Sequence, residues 1–138
     1  MPNKFWVDTN IFIRFYRQDD PKLSPLAQEI IADCIAGKYH LVICSVTILE
    51  IVWLLHSLYK LPRQEIITFV ENIFVLCNLE IVDKEIAQKT FALFKEKNID
   101  AADAYFAALM DQEKITEIFS FDHDLNKIPH LHRLQKPK

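Results

Sequence analysis

Phe5-Trp6-Val7-Asp8-Thr9-Asn10 decides the fold. A short, bulky, β-prone apolar run stops at an acid, and hydroxyl and amide side chains follow it. This pattern predicts a buried first strand that delivers a carboxylate to the edge of a sheet. Three later stretches also set an acid against an apolar background. They are Glu50 in Val46-Thr47-Ile48-Leu49-Glu50-Ile51-Val52-Trp53, Asp103 in Ala101-Ala102-Asp103-Ala104, and Asp122 in Ile118-Phe119-Ser120-Phe121-Asp122.

Working outward, the chain alternates apolar runs with helical patterns. Asn10 to Tyr16 predicts a short helix, which Asp19-Asp20-Pro21 breaks. Ser24-Pro25 reads as an N-cap followed by proline at the first helical position. Leu26, Ile30 and Cys34, with Ile31 and Ile35, form its apolar face, and Gly37 is its C′ stop. His40 to Cys44 is a second buried strand. Ser45 caps a helix from Val46 to about Lys60, and Pro62 opens another with Ile66, Phe69, Val70, Ile73 and Phe74 inward. Leu79 to Val82 is a third strand, and Asp83 caps the helix carrying Ile86, Leu93 and Phe94. Asp100 starts an alanine-rich helix ending near Glu113. Ile115 to Phe121 is a fourth strand, with a last short one around His132 to Leu134. No repeat or linker interrupts the chain, so residues 1–138 read as a single domain. Strands separated by helices imply right-handed crossovers and an α/β fold, a mainly parallel sheet with helices on both faces.

The bulk numbers agree. At 138 residues the chain is long enough to bury a proper core, and 51% hydrophobic with 25% charged residues is a globular composition. Gly37 is the one glycine, which argues against glycine-rich phosphate loops and against hairpin-rich all-β folds. A net charge of -3 gives no global basic footprint for nucleic acid, although a metal cluster and a local basic rim can substitute for one. Cys34, Cys44 and Cys77 are odd in number, lie in apolar runs and form no C-x-x-C pair. They read as buried free thiols of a reducing compartment. No apolar segment approaches the roughly 18 residues of a membrane span, and the start lacks a signal-peptide pattern. The expected location is the cytoplasm.

Asp8 and Asp122 fall at the carboxyl ends of strands one and four. Glu50 falls in the second turn of the helix leaving strand two, and Asp103 in the first turn of its own helix. Open α/β sheets bind ligands beyond the carboxyl ends of their strands. Each acid also has a plain structural reading. Asp8 can be an N-cap, Asp100-x-x-Asp103 resembles a capping box, and Asp122 can open an Asx-type turn. Glu50 resists this best, because it interrupts a run that should face the core, where an unpaired carboxylate is costly. Four such acids at one topological edge favour a metal site. Together they would repel and hold protons. A hard cation removes that conflict, and oxygen-only ligands suit Mg²⁺ or Mn²⁺ rather than Zn²⁺. Such an ion serves phosphodiester hydrolysis as Lewis acid and activator of water. Thr9, Asn10 and Ser120 are expected to support the ligands or touch substrate, with Asp100 and Asp124 as reserve ligands.

Other polar groups read more plainly. His130 and His132 alternate and could share a strand face, but tail histidines are more often exposed. His123, between Asp122 and Asp124, could touch substrate but reads by default as solvated, and His56, like Trp53, reads as helix packing. Arg14, Arg17, Lys60, Arg63, Lys127 and Arg133 could form a phosphate-binding rim, with a solvated surface as the default.

The Val-Asp-Thr-Asn opening, Glu50 after strand two, Asp103 in Asp-Ala-Tyr-Phe-Ala-Ala, and Ser-Phe-Asp-His-Asp near the end together resemble the PIN-domain family. The resemblance covers essentially the full chain, and the size is similar to stand-alone VapC-type toxins. It implies a three-layer α/β/α sandwich around a four- to five-stranded sheet, and Mg²⁺- or Mn²⁺-dependent ribonuclease activity. It maps the family's acidic quartet to Asp8, Glu50, Asp103 and Asp122, with Asn10 and Ser120 in support. Ser120 stands where threonine is frequent. The resemblance also implies a homodimer and a cognate antitoxin that inserts a segment into the acidic groove. Trp53, Leu54, Leu58 and Tyr59 could serve a dimer face, although core packing accounts for most of them. Three other readings stay open: a non-catalytic metal- or partner-binding module, a DNA-directed nuclease of the same fold, and an aspartyl-phosphate phosphatase. The last normally wants a second acid where Asn10 stands.

Overall fold

The computed structural model describes residues 3–137. They fall into two compact units, one running up to Lys84 and the other beginning at Glu85. The fold is α/β, with parallel strand pairs and connecting helices.

In the first unit the order is β1 (Lys4–Trp6), α1 (Thr9–Arg17), α2 (Leu23–Ile35), β2 (His40–Ile43), α3 (Ser45–Ser57), α4 (Arg63–Phe74) and β3 (Leu79–Ile81). β2 is central and pairs in parallel with both neighbours, placing Trp6 opposite Val42 and Ile43 opposite Ile81. The ladder runs past the strand ends, since Val7 N–H donates to Val42 O at 3.1 Å and Val82 N–H to Ile43 O at 3.0 Å. All three strands therefore finish at the same edge. The core is Phe12, Ile31, Ile43, Ile51, Leu55 and Val70, each at most 2% exposed. Burying each such side chain contributes roughly 1.5–3 kcal/mol.

The second unit contains α5 (Lys84–Glu96, which begins at the boundary), α6 (Ala101–Gln112), β4 (Glu117–Phe119), a short 3-10 helix (His123–Lys127) and β5 (His132–Leu134). β4 and β5 pair in parallel, Glu117 opposite His132 and Phe119 opposite Leu134. Ala104, Ala107 and Ala108 form a fully buried face of small side chains on α6. No helix among the described residues is long and apolar enough to cross a membrane.

Several local expectations need correction. β1 is not buried, for Phe5 and Trp6 stand 51% and 60% exposed and only Val7 beyond them is enclosed. Phe5 instead packs edge-on against Tyr39, their ring centroids 5.4 Å apart. The start of α2 is held by Asp20 rather than by Ser24. Asp20 Oδ1 accepts from the N–H groups of Lys22 and Leu23 at 3.0 and 2.8 Å, and this holds its carboxyl below the usual range. Ser24 lies inside the helix, and its hydroxyl donates to Arg14 O at 2.8 Å, tying α2 to the end of α1. The apolar face of α2 is accordingly rotated: Ala27, Ile31 and Cys34 are buried while Leu26 and Ile35 are exposed.

Cys44 is half-buried and Cys77 exposed, so only Cys34 is a buried thiol, though all three are free. Trp53 and Leu58 are 64% and 65% exposed, and His56 is also exposed, so core packing explains none of the three. Gly37 does end α2 in the left-handed region at φ +83. With no other glycine available, Gln18, Lys60, Asn78 and Lys114 also take positive φ. Each such residue costs about 1 kcal/mol that the surrounding packing must offset.

Candidate metal-binding site

In the first unit, Asp8 follows β1 directly and occupies the N-cap of α1 with extended backbone (φ -78, ψ 151), and its side chain makes no capping bond. Its carbonyl begins the helix by accepting from Ile11 N–H at 3.1 Å, which leaves the exposed carboxylate available beyond the strand end. The capping explanation of Asp8 therefore covers its backbone and not its acid. Thr9 is buried at the first helical position, whereas Asn10 is exposed.

Glu50 lies in the second turn of α3, which leaves β2 through a capping box of Cys44 and Thr47. It is exposed, contrary to the expectation of a carboxylate forced into the core. The reason is the helix phase. Ile48, Ile51, Val52 and Leu55 take the inner face, and Glu50 shares the outer one with Val46 and Trp53. The start of α3 is also capped from a distance, since Asp83 Oδ1 accepts from Ser45 N–H at 2.8 Å. Asp83 thus serves α3, a pairing across 38 positions that local capping rules do not reveal.

In the second unit, Asp100 is the N-cap of α6 and Asp103 lies in its first turn. Asp100 makes no side-chain capping bond, so the reciprocal box is not formed. An acid in the first turn of a helix is ordinarily favoured in its charged form. Asp103 departs from this. Burial, followed by the negative charges of Asp122, Asp100 and Asp124 and a hydrogen bond with Asp122, raises its pKa. Like charges crowded onto a partly enclosed carboxyl are the electrostatic condition that a divalent cation relieves.

Asp122 does open an Asx turn: its Oδ1 accepts from Asp124 N–H at 2.9 Å at the start of the 3-10 helix. Ser120 Oγ supports the same turn by accepting from Asp122 N–H at 3.0 Å. Asp124 is paired with Lys127 Nζ at 3.0 Å, and the same ammonium donates to Asn98 O at 2.9 Å.

The basic rim is largely engaged inside the protein. Arg14 and Arg17 pair with Asp19 at 3.7 and 3.5 Å, and Arg17 also sits 4.7 Å above the Tyr59 ring. Arg133 is held by its own set of acceptors. His130 precedes β5 while His132 lies in it, so the two do not share a strand face, and His130 Nε2 is buried without a partner.

Each unit thus brings acids to a strand exit or helix start, Asp8 and Glu50 in one and Asp100, Asp103, Asp122 and Asp124 in the other. Among the described residues, no group of three or more His, Cys, Asp or Glu side chains is arranged to hold a metal ion. The donor chemistry nonetheless fits a hard cation, being all oxygen and anionic.

The crowding at Asp103 has a measurable consequence. Its pKa in the folded protein lies above the ordinary 3.8. The folded state therefore holds this proton more tightly, and the ionised carboxylate becomes a penalty as pH rises through the raised value. Asp103→Asn is expected to raise the melting temperature at neutral pH by on the order of 2 °C. Near about pH 3, where the carboxyl is protonated in both states, the gain should vanish. Thermal melts of both proteins across this range check the sign; an equal gain at both ends would show that charge crowding is not the cause.

Comparison with known proteins gives one family match. A family model described as PIN domain matches residues 5–131. No curated protein matches the chain.

Proposed function

The chain belongs to the PIN-domain family, and from that membership we propose that it is a divalent-metal-dependent endoribonuclease, the toxin of a toxin–antitoxin pair. The family is nuclease-related in general, and its members generally depend on metal. The reading assigns Asp8, Glu50, Asp103 and Asp122 as metal-holding acids, with Asp100 and Asp124 in reserve. The observation that carries it is the family match over residues 5–131, and the like-charge crowding around Asp103 supports its metal-holding part. Mg²⁺ or Mn²⁺, when bound, supplies Lewis acidity and an activated water. Asn10 and Ser120 orient the acids and substrate. Ser120 fits this role because it already braces the Asp122 turn. RNA, a cognate antitoxin and a second copy of the chain are the partners this reading carries, with the cytoplasm as its place. Exposed Trp53 on α3 and Leu58 at its C-cap offer apolar surface for a second copy.

A second reading, a PIN-like module that binds metal or a partner without cutting, has a specific observation in its favour. No three acids among the described residues form a coordination group, and one oxygen each of Asp122 and Asp124 is engaged internally. On geometry alone this binding module has the better support; family membership is what favours the nuclease.

One experiment separates them. The purified chain is incubated with total RNA, and with single-stranded and duplex DNA, in Mg²⁺ or Mn²⁺ and again with EDTA. Discrete RNA fragments that disappear with EDTA support the ribonuclease. Intact RNA together with measurable Mn²⁺ binding supports the binding module, and cleavage of DNA alone supports a DNA-directed nuclease.

A further inference from the structure

One arginine brackets the whole acid-bearing turn of the second unit. From β5, Arg133 Nη1 donates to Ser120 O at 3.0 Å, at the start of the turn. Nη2 lies 3.1 Å from His123 Nδ1 in the middle, and Nε donates to Asn126 Oδ1 at 3.2 Å near the end. The Gln135 amide, with its oxygen turned toward the guanidinium, accepts from Nη1 and Nη2 at 3.0 and 3.3 Å. Asp122 and Asp124 lie between the points so held. Five fixed N–H donors in a planar fork can reach these acceptors simultaneously, which a lysine ammonium on its flexible stem cannot do.

The turn is otherwise tied down by buried Leu125 and by Lys127, which pairs with Asp124 and donates to Asn98 O. From Ser120 to Lys127 its regular structure is a single short 3-10 helix, and Asp122 and Phe121 are exposed. The Ser120 and Asp122 side-chain bonds fix only adjacent residues. Arg133 joins the two ends and anchors them to the β4–β5 pair, where Ser120 N–H also donates to Leu134 O at 3.0 Å.

We propose that Arg133 is a positioning residue, holding the Ser120–Asn126 turn so that Asp122 is preset to bind a divalent cation. The proposal rests on the metal-binding part of the functional reading and adds a residue that no acid count would include. It also makes a prediction opposite in sign to charge alone. Removing a positive group beside a cluster of acids should strengthen cation binding by simple Coulomb attraction. Loss of a brace should weaken it, and losses of about 10- to 100-fold are typical when groups that orient metal ligands are removed.

The test is calorimetric titration of the metal-free full chain with Mn²⁺, comparing wild type, Arg133→Ala and Arg133→Lys, with thermal melts alongside. Both variants are expected to bind Mn²⁺ at least tenfold more weakly, including Arg133→Lys, which keeps the charge. His123→Ala and Asn126→Ala each remove one exposed acceptor and are expected to weaken binding about threefold, a measurement that stands even if Arg133→Ala fails to fold. Unchanged or tighter Mn²⁺ binding in Arg133→Lys, or unchanged binding in both acceptor variants, overturns the positioning role. A wild type that takes up no Mn²⁺ overturns the metal-binding reading itself, and this inference with it.

Discussion

Asp8→Asn is expected to abolish the proposed RNA cleavage, with a loss of about a thousandfold or more, while the fold is retained. The structure explains why the second half should hold. Asp8 occupies the N-cap of α1, but its carboxylate makes no capping hydrogen bond, and its exposed side chain is not part of the core. Asparagine is as good an N-cap as aspartate and keeps the same shape. The substitution removes one negative charge and little else, so the melting temperature should move by no more than about 2 °C. Melts and cleavage time courses on the same preparations check both halves. Undiminished cutting by a pure, folded variant would remove Asp8 from the chemistry.

Phe12→Ala gives the largest expected loss of stability. Phe12 is 2% exposed on the inner face of α1, which packs on α2 and α3. Truncating a buried phenylalanine costs roughly 3–5 kcal/mol, because the lost burial is compounded by the cavity left behind. That is a large share of the approximately 5–15 kcal/mol by which domains are stable. Because Asp8 opens the helix that Phe12 anchors, cleavage should fall together with the folded fraction rather than independently of it. Urea unfolding monitored by circular dichroism tests this. A midpoint close to that of wild type would mean that α1 contributes little to the first unit.

The element order was legible because it depends on local rules. Pro62 and Asp100 occupy the N-caps of α4 and α6, Gly37 takes the left-handed turn after α2, and β5 covers His132–Leu134. Periodicity and capping operate over three or four residues and can be read from one chain. Exposure was less legible. Phe5 and Trp6 form a strand of the expected type, yet strand propensity does not say which faces are covered. Glu50 shows the same limit, because an eight-residue apolar run cannot tell which third of a helix points outward until its packing is known.

The candidate acids were found by residue type and topological edge, and most of their surroundings were not. Asp83 reaches back to Ser45 and Arg133 to Ser120, across 38 and 13 positions. Such long-range side-chain pairings leave no periodic trace. A hint of the Asp122 turn was present, since Ser120-Phe121-Asp122-His123-Asp124 spaces polar groups two apart, as ST and Asx turns require. The basic residues read by default as solvated surface, with a phosphate-binding rim as the alternative, whereas Arg14, Arg17, Lys127 and Arg133 all have partners within the protein.

The proposed function requires that Asp103 and Asp122 hold a divalent cation. Titration of metal-free wild type, Asp103→Asn and Asp122→Asn with Mn²⁺ tests this within the second unit, where like charges crowd Asp103. Wild type is expected to bind Mn²⁺, with at least a tenfold loss, about 1.4 kcal/mol, in each variant. A wild type that does not bind Mn²⁺, or either variant binding it as tightly as wild type, would contradict the account.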